Sequence, residues 1–128
     1  MTQFRMDPLV AVDIEIKGDT PSVFRFIAQK RVPGREFRDF ASSADWGRES
    51  QSRYSFELLP PVRTYTDLRI YFLMDGAAGR PTRITVVFSQ NGAPLGEAIV
   101  CEGKIGSDGG LVFRTAEATL ITNEGTLI

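Results

Sequence analysis

Through most of the chain, apolar residues recur at every second position. This is the spacing of half-buried β-strands, whose side chains alternate between two faces. Val10, Val12, Ile14 and Ile16 fall on one face, while Ala11, Asp13 and Glu15 take the other. The turn cluster "GDTP" (residues 18–21) follows, and then Phe24, Phe26 and Ala28 resume an apolar face. Folding these two runs onto each other as a hairpin keeps both apolar sets together. That register places Ile14 opposite Phe26, Ile16 opposite Phe24 and Glu15 opposite Arg25. Tyr54, Phe56 and Leu58 alternate until Pro60 and Pro61 stop the strand. Leu68, Ile70, Phe72 and Met74 make a further face, as do Ile84, Val86 and Phe88. "LGEAIVCEGKI" predicts a strand with two mixed faces, and "LVFRTAEATLIT" the last long one. "QNGAP" contains Asn-Gly, a strong two-residue hairpin signal. "DGAAGRP" and "GSDGG" are read as hairpin turns too, because a phosphate-binding loop needs a helix after it and here strands follow.

Seven or eight strands at a spacing of roughly 10–15 residues predict an all-β fold rather than βαβ units. The expected architecture is an antiparallel β-sandwich or flattened β-barrel, a single domain over residues 1–128. One stretch breaks the pattern: "REFRDFASSADWGRES", residues 35–50. Within it, Phe37, Phe40, Ala41 and Ala44 recur at helical spacing, which predicts a short helical connector of one or two turns crossing one end of the sheets.

Fifteen Lys and Arg against sixteen Asp and Glu leave a formal charge of -1. That lacks the basic surplus through which proteins neutralise nucleic-acid phosphates, so no nucleic-acid partner is expected. The sequence contains no His. Ser-His-Asp and Cys-His triads, His general bases and His metal ligands are therefore excluded from this stretch of chain. Cys101 is the single Cys, so it forms no disulfide within the chain and no cysteine metal cluster, and in "AIVCEG" it reads as a small buried hydrophobe. Neither a metal nor a cofactor is expected. No apolar run reaches membrane-spanning length and no leader pattern is visible, so the expected location is the cytoplasm, with no membrane partner.

The candidate ligand-binding residues are Trp46, Phe37, Phe40, Arg48, Tyr54 and Tyr71. Trp46 offers a flat stacking face, with Asp45, Arg48 and Glu49 beside it to orient polar groups. Alternatively, Trp46, Phe37 and Phe40 plug one open end of the sheet pair. Three arginines and four carboxylates over residues 35–50 suit a solvated face rather than a phosphate site. Tyr54, Tyr65 and Tyr71 are the available phenolic proton donors, and Tyr71 falls beside Arg69 on the less apolar face of its strand.

Two readings of function follow. The first is a non-catalytic binding or assembly module that meets a protein partner, or a second copy in a homodimer, through loop ends or a sheet face. The alternative is a small β-barrel enzyme or carrier for a hydrophobic small molecule, of cyclase, isomerase or acyl-thioester type. Cavity shape with Tyr, Arg and carboxylate groups would carry its chemistry.

The segment "APLGEAIVCEGKIGSDGGLVFRTAEATLITNEGTLI", residues 93–128, resembles in its cadence of strands and Gly turns the C-terminal strands of hot-dog-fold acyl thioesterases. The long apolar central helix and the His-Gly-Gly segment of that family are absent here, so the resemblance assigns no catalytic residue.

Overall fold

The computed structural model describes residues 2–18, 23–43, 53–107 and 111–122. Over these the chain forms ten strands and no helix. They are β1 (Thr2–Met6), β2 (Val12–Gly18), β3 (Val23–Arg31), β4 (Arg38–Ser42) and β5 (Arg53–Leu58), then β6 (Thr66–Asp75), β7 (Pro81–Gln90), β8 (Ala93–Pro94), β9 (Ile99–Lys104) and β10 (Val112–Thr122). A front sheet runs in the order β1-β10-β6-β3-β4, and a back sheet runs β5-β2-β7, with β8 and β9 both pairing β7. The architecture is thus a β-sandwich. It carries more strands than the periodicity suggested, because β1, β4 and the two-residue β8 are too short to show a clear repeat. The pairing is not wholly antiparallel either: β1 lies parallel to β10.

On β2, β6 and β7 the inward face is the one the alternation marked. Val12, Ile14 and Ile16 of β2, Ile84, Val86 and Phe88 of β7, and Leu68, Ile70, Phe72 and Met74 of β6 are all buried. Aromatic contacts knit the sheets together. Phe24 and Phe26 meet the ring of Tyr54 edge-on, with centroids at 5.4 and 5.0 Å, and Phe4 meets Phe88 at 5.0 Å. Opposite the large side chains of β6, β10 supplies Ala116 and Ala118, which leaves room for Ile70 and Leu68. Burying one side chain the size of Phe72 contributes about 2–3 kcal/mol.

Strand pairing departs from the expected hairpin. β2 pairs β5 and β7, whereas β3 pairs β4 and β6. Ile14 and Phe26 therefore face the same core from opposite sheets, and Glu15 lies opposite Ser55 and Val87 rather than Arg25. Among the described residues the chain passes between sheets six times, and only β3–β4 and β7–β8 join consecutive strands by direct pairing. At the second of these the Asn-Gly reading holds. Asn91 and Gly92 both have positive φ, 51° and 79°, and Gln90 pairs with Ala93 across the turn. The "DGAAGRP" segment, by contrast, carries the chain from β6 in the front sheet to β7 in the back sheet, so it is no hairpin. Its loop is tied to the end of β9 by Gly79 N–H donating to Ile105 C=O (3.0 Å) and Ile105 N–H donating to Arg80 C=O (2.8 Å). The connection containing "GSDGG" likewise joins β9 of the back sheet to β10 of the front sheet.

The helical connector is absent among the described residues, and β4 stands in its place. The pairing of β3 with β4 shifts between Ala28 and Gln29, so a bulge leaves Phe40 as the extra residue between Asp39 and Ala41. A bulge breaks the two-residue phase. That break gave Phe37, Phe40 and Ala41 a spacing that imitates a helix. Ser43 continues the pairing past β4, its hydroxyl accepting from Phe26 N–H at 3.1 Å. Residues 44–52, with Ala44, Asp45, Trp46, Arg48 and Glu49, lie outside the described residues. No helix among the described residues is long and apolar enough to cross a membrane.

Candidate functional site

The two outer faces of the sandwich differ. On the back sheet the outward phase is mostly polar, with Asp13, Glu15 and Lys17 on β2, Arg53, Ser55 and Glu57 on β5, and Arg83, Thr85 and Ser89 on β7. On the front sheet the outward phase carries bulky apolar groups on three adjacent strands. Ile27 of β3 is paired with Tyr71 of β6, and Leu73 of β6 with Phe113 of β10. These four form one cluster in which Phe113 is 71% exposed. With Phe40 from the β4 bulge they line a groove of about 680 Å³. Arg25 stands at one end, beside Leu73 in the register, and it has no ion-pair or hydrogen-bond partner among the described residues. Asp39 and Ser42 form the β4 wall.

Beyond Tyr71 the same face turns polar, and its side chains form ladders across the strands. Gln29 Nε2 donates to Asp39 Oδ1 (2.7 Å), while Arg69 donates through Nε and Nη2 to Gln29 Oε1 (3.3 and 3.1 Å). One row further, Arg31 donates through Nε and Nη2 to Asp67 Oδ2 (3.2 and 2.7 Å), and Thr119 Oγ1 donates to Asp67 Oδ1 (2.7 Å). Burial alone would raise the Asp67 pKa. The Thr119 hydroxyl and the Arg31 guanidinium outweigh it and hold the carboxyl below its ordinary range. Phe37 links the two rows. The guanidinium carbons of Arg31 and Arg69 lie 4.3 and 3.8 Å from its ring centroid, so the ring meets two cations.

The sequence-derived candidates thus separate. Tyr71 floors the groove and Phe40 borders it, with its ring also 5.7 Å from that of Phe56. Phe37 sits on the outer face within the polar half, against the guanidinium groups of Arg31 and Arg69. Tyr54 is elsewhere: it is 2% exposed, inside the core, where burial pushes its phenol pKa upward. Trp46 and Arg48 lie outside the described residues. Ile27, Leu73 and Phe113 were missed, although the sequence held a signal for them. Each is an apolar residue in the outward phase of its strand, next to an inward apolar neighbour. In "FIA", "FLM" and "LVF" that breaks the alternation.

Cys101 is buried on β9, and burial pushes its thiol pKa upward, partly offset by the charge of Arg114. Among the described residues no group of three or more His, Cys, Asp or Glu is placed to hold a metal ion. Comparison of the chain with protein-family models, with curated proteins and with solved structures finds no match. The likeness to hot-dog thioesterases gains nothing from the fold. The described strands of that segment, β8, β9 and β10, divide between the two sheets, and no described helix lies against either.

Proposed function

We propose that this protein is a binding or assembly module that docks a protein partner on the outer face of the front sheet. The observation that carries the reading is the cluster Ile27, Tyr71, Leu73 and Phe113, placed in the phase that solvent ordinarily claims. Contiguous apolar surface on a soluble domain marks an interaction site. Phe and Tyr are also side chains that anchor protein interfaces. The groove is open along the sheet, which suits a partner's surface or segment. A hydrophobic small molecule is the second reading, favoured by the groove volume of about 680 Å³, within the range of ligand pockets.

The test is a photocrosslinking amino acid placed at Phe113, with a control at Thr85 on the outer face of the back sheet. The crosslinker at Phe113 should give one discrete protein adduct, identifiable by mass spectrometry and lost in an Ile27→Asp background. An adduct of twice the chain mass names a second copy as the partner. A carrier or enzyme would instead show an extracted small molecule and no protein adduct. Equal adducts from both faces would sink the proposal.

A further inference from the structure

We infer that Arg31 and Arg35 form a subsite for a carboxylate on the polar half of the same sheet face. This rests on the reading of that face as a docking surface, and the carboxylate is an acidic side chain of the docked partner. A depression of about 510 Å³ lies there, and Gln3, Arg31, Arg35, Tyr65, Asp67 and Thr119 are among the residues that line it. It shares no lining residue with the apolar groove.

Three features favour an anion of single charge. The first is positioning. Arg31 is held by two bonds to Asp67 and by the face of Phe37, yet its side chain remains 41% exposed. Its Nη1 has no acceptor among the described residues. A guanidinium fixed on one edge and open on another is pre-organised for a planar acceptor. The second is charge. Both oxygens of Asp67 accept hydrogen bonds, so its charge is committed to Arg31 and Thr119. Arg35 then adds a positive charge that no ion pair among the described residues neutralises. It is carried by the turn in which its N–H donates to Val32 C=O (3.0 Å), with Gly34 at φ 78°. Arg35 also borders a neighbouring depression with Glu36, but Lys30 and Arg38 line that depression too, so cations outnumber the one carboxylate there. The third is the company of uncharged donors. Tyr65, at φ 61°, and Gln3 both line the site, and neither has a side-chain partner among the described residues.

Asp67 and Tyr71 share the outward phase of β6 four residues apart, about 13 Å along the strand. An extended partner segment with a bulky apolar residue over Tyr71 would therefore bring its acid to Arg31 and Arg35 four residues away.

Backbone-amide NMR titration of the 128-residue chain tests this. The probes are acetyl-Phe-Thr-Val-Thr-Asp-amide, its Asn-ended analogue and acetyl-Asp-amide. The Asp peptide should shift amides around both Tyr71 and Arg35 and bind about fivefold more tightly than the Asn peptide, the worth of one half-exposed charged contact. Arg35→Gln should erase that difference and leave the Asn peptide unchanged. Equal affinities with shifts confined to the groove overturn the subsite and leave the docking face standing. Shifts from acetyl-Asp-amide at Arg31 and Arg35, with none at Tyr71 from either peptide, support the subsite and count against the groove. No shift at either place at millimolar concentration overturns both.

Discussion

Replacing Gln90 with Met keeps the side chain's bulk and deletes all of its hydrogen bonds. Gln90 ends β7 in the inward phase and is 8% exposed. Its Oε1 accepts from Asp7 N–H (2.9 Å), and its Nε2 donates to Asp7 C=O (2.7 Å) and Val10 C=O (3.0 Å). The side chain therefore does for the β1–β2 connection what a strand neighbour would do. The same connection bonds to the segment after β5, through Val62 N–H donating to Pro8 C=O at 2.8 Å. Each intramolecular bond contributes about 1 kcal/mol net, and a buried group left without a partner costs about 1–3 kcal/mol. Partial access of water to the loop limits that second cost. Gln90→Met should lower stability by about 2–3 kcal/mol. With a urea m value of about 2 kcal/mol/M for a domain of this size, the midpoint should fall by roughly 1–1.5 M at unchanged m. Circular dichroism during urea titration reads this directly. Gln90→Glu should be worse than Met at pH 7, because a carboxylate would face the carbonyl oxygens of Asp7 and Val10. It should recover as the pH falls and the acid can donate to one of them. A midpoint shift below about 0.3 M for the Met variant would refute the reasoning, because the three bonds would then be replaced by water at no cost.

Asp67→Asn tests the polar ladder through its pH dependence. The folded pKa of Asp67 is depressed below its ordinary value of 3.8, so its contribution is fully present above that value and is lost as the pH falls through the folded pKa. Wild type should exceed the Asn variant by about 1 kcal/mol at pH 7, because the Arg31 partner is half exposed, and the gap should narrow below about pH 4. Urea midpoints at pH 7, 5 and 3 measure it, and a gap independent of pH would contradict the assignment. Gly103→Ala should destabilise by about 1–3 kcal/mol through overpacking. A Cβ there would lie 2.7 Å from Val112 Cγ1, where β9 of the back sheet meets β10 of the front sheet. Val112→Ala in the same chain should recover part of the loss of thermal midpoint, and strict additivity of the two changes would show that no such contact exists.

The alternation of apolar residues was enough to name the all-β class, most of the long strands and the inward set of β2, β6 and β7, because burial of one strand face needs only a two-residue period. Asn91-Gly92 was enough to place the β7–β8 turn, because positive φ at both positions is a local demand. Partner strands were decided only by the tertiary structure. Ile14 and Phe26 carry the same local signature whether they share a sheet or face each other across the core, since both sheets of a sandwich point their apolar faces at one interior. β4 was hidden for a related reason. Its bulge at Phe40 breaks the period, and pairing with β3 overrides a helical spacing that spans barely two turns. The candidate site depended on both levels. Ile27, Tyr71, Leu73 and Phe113 are visible singly as apolar residues out of phase, but they form one surface only because β3, β6 and β10 are neighbours in the front sheet. Hydrophobic period reports which way a side chain points; which strands lie side by side depends on non-local pairing, and no local pattern encodes it.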